Sequence, residues 1–491
     1  MRLCVLWKKC SLNAKAGYRL SRQMSKAGGG RAFRIDSRRD FTRSGRMTGA
    51  RDSDEGDFIP QEFPAGLRPA LRLVAGAAVV GMLTGLLGTG FLIALKAGDR
   101  LRGTLTGGLA SWPPVLGWLA LACLVACAAG AAAWLVGRFA PNAHGSGIPD
   151  VERVLRGNGR PHHSGVLPVK FLGGWLALSA GLLLGREGPM VQMGAVIGEK
   201  AGRLFPGLKG TWKSLMAAGA GAGLATAFNA PVGGTIFILE EVFRKITPLT
   251  FTLAATAASV AVFLQRAVFH MPQDYAVPTI PEAPAAAVWL FFLFGAAVGI
   301  LGVAYNRLLL GLLAISKKMR GIPVPAKAAA IGFVVGTAGW FAPGWIGGGD
   351  DITQAIFTSR PQVWVLLGIA SLRFFLGPLS YATGTPGGLF APVIAMGALV
   401  GTATGALPML SELVPSPLAF TVAGMAAFFT ATVRAPLTGI VICLEMTGCY
   451  SLFFPLLAAC LGAHLIPTLL KDPPIYDALA ALPGSTSVRG S

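Results

Sequence analysis

The sequence predicts an all-α, polytopic membrane protein made of two inverted-topology repeats of tilted and broken helices. Three observations carry that expectation. Of 491 residues, 53% are hydrophobic and only 13% charged, where a soluble domain carries roughly 25% charged residues. Apolar runs at 73–95, 115–136, 285–305 and 452–470 reach the ~20 residues a helix needs to span hydrocarbon. Finally, the chain repeats itself. Gly185, Pro189, Met193, Gly194, Ala195, Gly198 and Gly202 align with Gly388, Pro392, Met396, Gly397, Ala398, Gly401 and Gly405. Further on, Ala230-Pro231 and Leu239-Glu240 align with Ala435-Pro436 and Leu444-Glu445. Two copies whose interrupted helices meet near the bilayer midplane form the plan of many transporters. The 66 glycines fit close helix approach in a membrane and non-helical backbone at the breaks.

Charge divides the chain. The formal net charge is +20, and the first fifty residues hold thirteen Lys or Arg against two Asp. Residues 1–66 therefore read as a basic tail. Three readings stay open for it: a disordered cytoplasmic tail, an upstream extension with initiation at Met24 or Met47, or an organelle transit peptide. No apolar h-region follows the charges, so it is not a secretory signal. The first fifty residues thus hold 11 of the 20 excess positive charges, a location that argues against a nucleic-acid partner. The membrane domain is expected over 67–482, with repeat one at about 68–268, repeat two at about 285–482, a Pro-rich joint at 271–284, and a short tail at 483–491.

Loops at 138–160, 203–213, 244–245 and 317–327 are basic. Those at 270–282, 347–358 and 411–415 carry acids without Lys or Arg. The positive-inside rule puts the first set in the cytoplasm and the second outside. The segment 96–102 is mixed. The helix opened by Gly185 then ends in a basic loop, and its counterpart opened by Gly388 ends in an acidic one. Similar sequence ending on opposite sides makes the repeats inverted.

Several apolar segments (148–155, 189–204, 231–243 and 436–447) are too short to span. Backbone breaks inside hydrocarbon survive only when buried in protein or lining a cavity, so the breaks should meet where a polar solute binds. Gly145-Ser146-Gly147-Ile148-Pro149 opens one such helix. A helix start offers free N–H donors, here at Gly147 and Ile148, and partial positive charge. Ser146 adds a hydroxyl. A capped turn is the plainer alternative. In Gly185-Arg186-Glu187-Gly188-Pro189 an acid sits at a membrane helix start, and intramembrane acids mark function by default. Glu187 would fill the place that an anion seeks, and protonation would release it. The plainer alternative is a Glu paired with Arg186 or capping its own helix. The second repeat carries Leu389 and Phe390 there, without an acid: either their backbone N–H groups coordinate the same ion and one side alone is gated, or this is an ordinary broken helix packed for shape. Glu240-Glu241 lies beside Arg244 and Lys245, as either a proton port or an interfacial ion pair. Lys170 either biases the interior positive or snorkels to the interface.

The seven cysteines and five histidines show no ligand spacing, so no metal and no cofactor is expected. Cys123, Cys127, Cys443 and Cys460 read as small residues buried in helices. No intramembrane His–acid or Cys–His constellation supports an enzyme.

Taken together, Gly-Ser-Gly-Ile-Pro at 145–149, Gly-Arg-Glu-Gly-Pro at 185–189, Gly-Gly-Leu-Phe-Ala-Pro at 387–392 and the segment 433–447 resemble the CLC family of chloride channels and chloride/proton exchangers. The resemblance spans about 71–477. It implies that Ser146 and Tyr476 hold a central anion with their hydroxyls and that Leu389 and Phe390 supply backbone donors. Glu187 matches the external gating glutamate and Glu241 the internal proton-transfer glutamate, with Arg186 and Lys170 as supporting electrostatics. A serine at 146 goes with chloride. His144 and the stretch 382–385 depart from the family pattern without removing a ligand. The chain ends soon after Tyr476, which favours a bacterial-type member without paired regulatory domains. The resemblance thus implies a homodimeric chloride/proton antiporter in a membrane, expected to be a bacterial inner membrane with both termini cytoplasmic. A passive voltage- or pH-gated chloride channel of the same fold is the alternative.

Overall fold

The structure is a computed structural model. It describes residues 66–482 except 206, 207, 209, 245, 272–274 and 360. The basic tail, Lys245, part of the joint and the segment 483–491 lie outside the described residues.

Eight helices of the first half are answered in order by eight of the second. The first set is Leu67–Leu109, Pro114–Phe139, Ile148–Leu155, Val166–Ser179, Glu187–Leu204, Trp212–Phe228, Pro231–Phe237 and Pro248–Ala267. The second is Val288–Lys318, Val324–Phe341, Asp350–Ser359, Val363–Tyr381, Phe390–Gly405, Leu418–Val433, Pro436–Thr447 and Phe453–Leu469. A short helix, Pro408–Ser411, and a last helix, Ile475–Ala481, complete the described α-helices. Among the described residues, seven helical stretches are long and apolar enough to cross a membrane, so the protein is a multi-pass integral membrane protein. The first of them runs for 43 residues and takes in the mixed segment 96–102.

Within each half, glycines let the backbones touch. A Cβ on Gly194 would stand 2.1 Å from the carbonyl oxygen of Gly219, and one on Gly397 2.1 Å from that of Gly424. These two glycines were matched by the repeat alignment. Each fastens its broken helix to the helix that follows.

Between the halves, helix caps are exchanged. The Glu240 carboxylate accepts from the N–H groups of Leu437 (3.1 Å) and Thr438 (2.7 Å) at the start of the Pro436 helix. Its counterpart Glu445 accepts from Val232 (3.1 Å) and Gly233 (2.7 Å) at the start of the Pro231 helix. Each acid satisfies donors that a helix start leaves unpaired, at the end where the macrodipole favours an anion. After Phe237 the Pro231 helix loosens into a π-helical turn, Ile238–Val242, and this turn carries Glu240 and Glu241.

Two expectations need correction. Cys123 and Cys127 are exposed on the surface of the Pro114–Phe139 helix, not buried. In hydrocarbon an outward face is apolar as well, so hydrophobic surroundings in sequence do not report which way a residue points. The acidic stretch at 347–358 is not all loop, because it includes the helix Asp350–Ser359.

Candidate functional site

Three glycine-rich breaks converge. Gly185 and Gly388 pair as an antiparallel bridge, with Gly185 N donating to Gly388 O (2.9 Å) and Gly388 N to Gly185 O (2.7 Å). Gly387 N donates to Gly145 O at 3.0 Å. A Cβ on Gly188 would lie 2.7 Å from Ser146 Cα and 2.9 Å from Gly388 Cα. Only glycine permits this approach. Gly147, with φ +78°, adopts the left-handed backbone that turns the chain into the Ile148 helix.

Glu187 stands at this meeting point, 0% exposed. Its Oε1 accepts a 2.6 Å hydrogen bond from Phe390 N, the first residue of the Phe390–Gly405 helix. Its Oε2 has no hydrogen-bond partner among the described residues. The neighbouring Arg186 guanidinium donates to Ala227 O (3.0 Å) and pairs with Asp350 (3.3 Å). The carboxylate therefore lies at the positive end of a helix from the other repeat, where a dissolved anion would be favoured.

The Phe390 ring lies among the rings of Phe228, Phe237, Phe429 and Tyr476. Such walls lower the local dielectric and strengthen the interaction between anion and amide. Tyr476 is fully buried, its ring 6.0 Å from that of Phe390. Its hydroxyl has no hydrogen-bond partner among the described residues. Leu389 is the N-cap residue immediately before that helix.

Ser146 is also fully buried. Its Oγ accepts from Ile148 N (3.3 Å) and from the Tyr381 hydroxyl (3.5 Å), which leaves its own proton for a ligand. Lys170 does not snorkel. It is buried, and its Nζ donates to the carbonyls of Ala143 (3.1 Å) and Gly145 (2.8 Å).

Glu241 lies elsewhere, in the π-helical turn. Arg244 Nη2 stands 3.4 Å from Glu241, 2.9 Å from Asp477 and 4.0 Å from Glu152. Three acids thus share one guanidinium, and Glu152 also pairs with Arg156. A cavity of about 710 Å³ reaches Ser146 and Gly147 past Arg138, Asp150, Arg153 and Lys317. The Ile148–Leu155 helix stands between the two regions. Asp150 and Arg153 line the cavity on one face, and Glu152 meets Arg244 on the other. Residues two apart on a helix point about 200° apart, which produces this division.

The structure therefore gathers Ser146, Gly147, Glu187, Leu389, Phe390 and Tyr476, with Lys170 supporting the Ser146 loop, and sets Glu241 apart. Sequence reasoning missed Tyr381, Glu152, Asp477 and the aromatic walls. Glu152 and Asp477 were within reach, as acids adjoining the first motif and Tyr476. Tyr381 had no local signal.

Residues 128–468 match the family model described as voltage gated chloride channel. The chain belongs to this family. Among relatives, the H(+)/Cl(-) exchange transporter ClcA of Vibrio parahaemolyticus is 38% identical over 440 residues, covering 86% of this chain and 92% of the relative. The ClcA of Klebsiella pneumoniae is 36% identical over 438 residues, covering 86% and 91%. Among solved structures, a slow cyanobacterial Cl-/H+ antiporter superposes with a TM-score of 0.79 at 35% identity, covering 83% of this chain and 97% of that one. This voltage-gated chloride channel family member thus resembles exchangers along nearly all of their length.

Proposed function

We propose that this protein exchanges chloride for protons, with Glu187 as the gate. One observation carries the reading: the Glu187 carboxylate lies on the N–H of Phe390, at a helix tip suited to an anion. A carboxylate and a chloride cannot both fill that place. Protonation removes the charge that holds Glu187 there, so the side chain leaves and chloride enters. Coupling follows from this exclusion. Ser146, Gly147, Ile148, Leu389, Phe390 and Tyr476 hold the anion, which reaches them through the cavity past Arg153. The proton leaves by Glu241 toward the Arg244 cluster. Arg186 and Lys170 act through position and field. Relatives named as exchangers support antiport over a channel.

The basic loops favour cytoplasmic placement of the cavity mouth and both termini, in a bacterial inner membrane. A homodimer follows from the family resemblance, with one complete pathway in each subunit.

The test uses purified protein in proteoliposomes. A chloride gradient drives protons uphill in the parent. Glu187→Ala abolishes proton movement and leaves chloride flux, and Glu241→Gln does the same. Chloride flux in the parent with no proton pumped makes the protein a channel and overturns the proposal.

A further inference from the structure

The rim of the anion path is tied to the Glu187 helix by a buried ion cluster that the exchange reading does not use. His162, in the connection after the Ile148–Leu155 helix, is 2% exposed. Its Nε2 lies 2.9 Å from Asp150 Oδ2 and its Nδ1 2.8 Å from Glu199 Oε2. Its backbone N–H donates to the same Glu199 oxygen at 3.1 Å. Asp150 also takes Arg153 (2.8 Å) and, weakly, the Gln192 amide (3.4 Å), and Glu199 takes Arg203 (3.2 Å). An imidazole with a carboxylate at each nitrogen keeps both protons. Burial opposes the charge, but the carboxylates of Asp150 and Glu199 beside the ring outweigh it and push His162 up to about 9.

The position of Asp150 gives this cation a task. Asp150 is in the first turn of the Ile148 helix, whose tip presents Gly147 and Ile148, and it lines the cavity. Asp150 is shared between His162 and Arg153, and with the imidazolium gone its less fully balanced carboxylate opposes the helix field that would draw an anion in. Gln192 adds a mechanical link, because a Cβ on Gly147 would stand 2.2 Å from Gln192 Oε1. Any shift of Asp150 and Gln192 is therefore felt at Gly147.

We propose that His162 is a positioning residue for anion entry: its cation neutralises Asp150 at the rim of the Ser146 loop and fastens that rim to the Glu187–Leu204 helix. This rests on the reading of the Ser146 loop as the inner anion site. Glu199 lies near the basic end of the Glu187 helix, so one imidazolium joins the element carrying Ser146 to the element carrying the gate. Removing it leaves the gate chemistry in place and makes the approach to Ser146 more negative.

The experiment is chloride flux in proteoliposomes of the full chain, with chloride replaced by gluconate at constant ionic strength. The half-saturating chloride concentration is read apart from the maximal rate. His162→Gln raises the half-saturating concentration about fivefold, the effect of one charge near the path at an intermediate dielectric, and changes the maximal rate less than about twofold. Adding Asp150→Asn restores the parent value. Asp150→Asn alone lowers it, which keeps the proposal testable if His162→Gln folds poorly. A merely structural His162 would reduce yield or maximal rate without moving half-saturation, and that result overturns the proposal. So does a rise that Asp150→Asn fails to reverse. Ser146→Ala in the same assay separates the two ideas. If it raises half-saturation and His162→Gln does not, only the role of His162 fails. If Ser146→Ala has no effect, the anion-site reading fails first.

Discussion

The starts of the two broken helices, at Glu187 and at Phe390, occupy equivalent places in the two repeats and have opposite chemistry. The repeat-two helix offers a backbone N–H in an aromatic enclosure. The repeat-one helix supplies a carboxylate that reaches across and accepts from it. Away from this point the halves keep their symmetry. Gly194 and Gly397 make the same backbone contact, and Glu240 and Glu445 exchange the same caps. Packing holds the repeats alike, and the proposed gate lies where one repeat gains a charge that the other lacks.

That contrast breaks or sharpens under mutation. The largest effect is expected at the glycine contacts, where a carbonyl oxygen 2.1 Å from a new Cβ has no flexible end to give. Gly194→Val and Gly397→Val should each cost about 3 kcal/mol, read as loss of folded protein by thermal scanning in detergent. A large difference between them would break the equivalence of the halves. Next come the caps. Glu240→Gln and Glu445→Gln should each cost about 1–2 kcal/mol, with the two losses within a factor of two.

Smaller still is a pH effect confined to one repeat. His162 is raised above its ordinary value to about 9. Its stabilising contribution is complete below about pH 6.5 and is lost as pH rises through about 9. The parent should lose about 3 °C in Tm across that window, and His162→Gln should flatten the loss. The smallest effect is Tyr381→Phe, which removes one donor to Ser146. Chloride affinity should fall about threefold, measured by isothermal titration.

The fold was legible because the membrane imposes length and the repeat imposes order. The glycine stacks and the Glu240–Glu445 correspondence could be read from the alignment alone, since identical spacing on a helix returns to the same face. Short helices opening at Pro231 and Pro436 were equally readable, because proline fits the first turn and little else in a helix. Orientation was not readable. Cys123 and Cys127 sit in an apolar run whose outward face is as apolar as its inward one. At the site, Ser146, Glu187 and Phe390 announced themselves through motifs. Tyr381 reaches Ser146 across 235 positions of sequence, and no local pattern encodes such a contact. The partner of Arg186 was equally out of reach. Its neighbour in sequence is Glu187, but its neighbour in space is Asp350.

The most direct measurement is a crystal structure of Glu187→Ala grown in bromide, read by anomalous scattering. An anomalous peak within hydrogen-bonding distance of Phe390 N, where the carboxylate oxygen otherwise stands, is the predicted result. A site left empty at high bromide, with anion bound only elsewhere, would contradict the account.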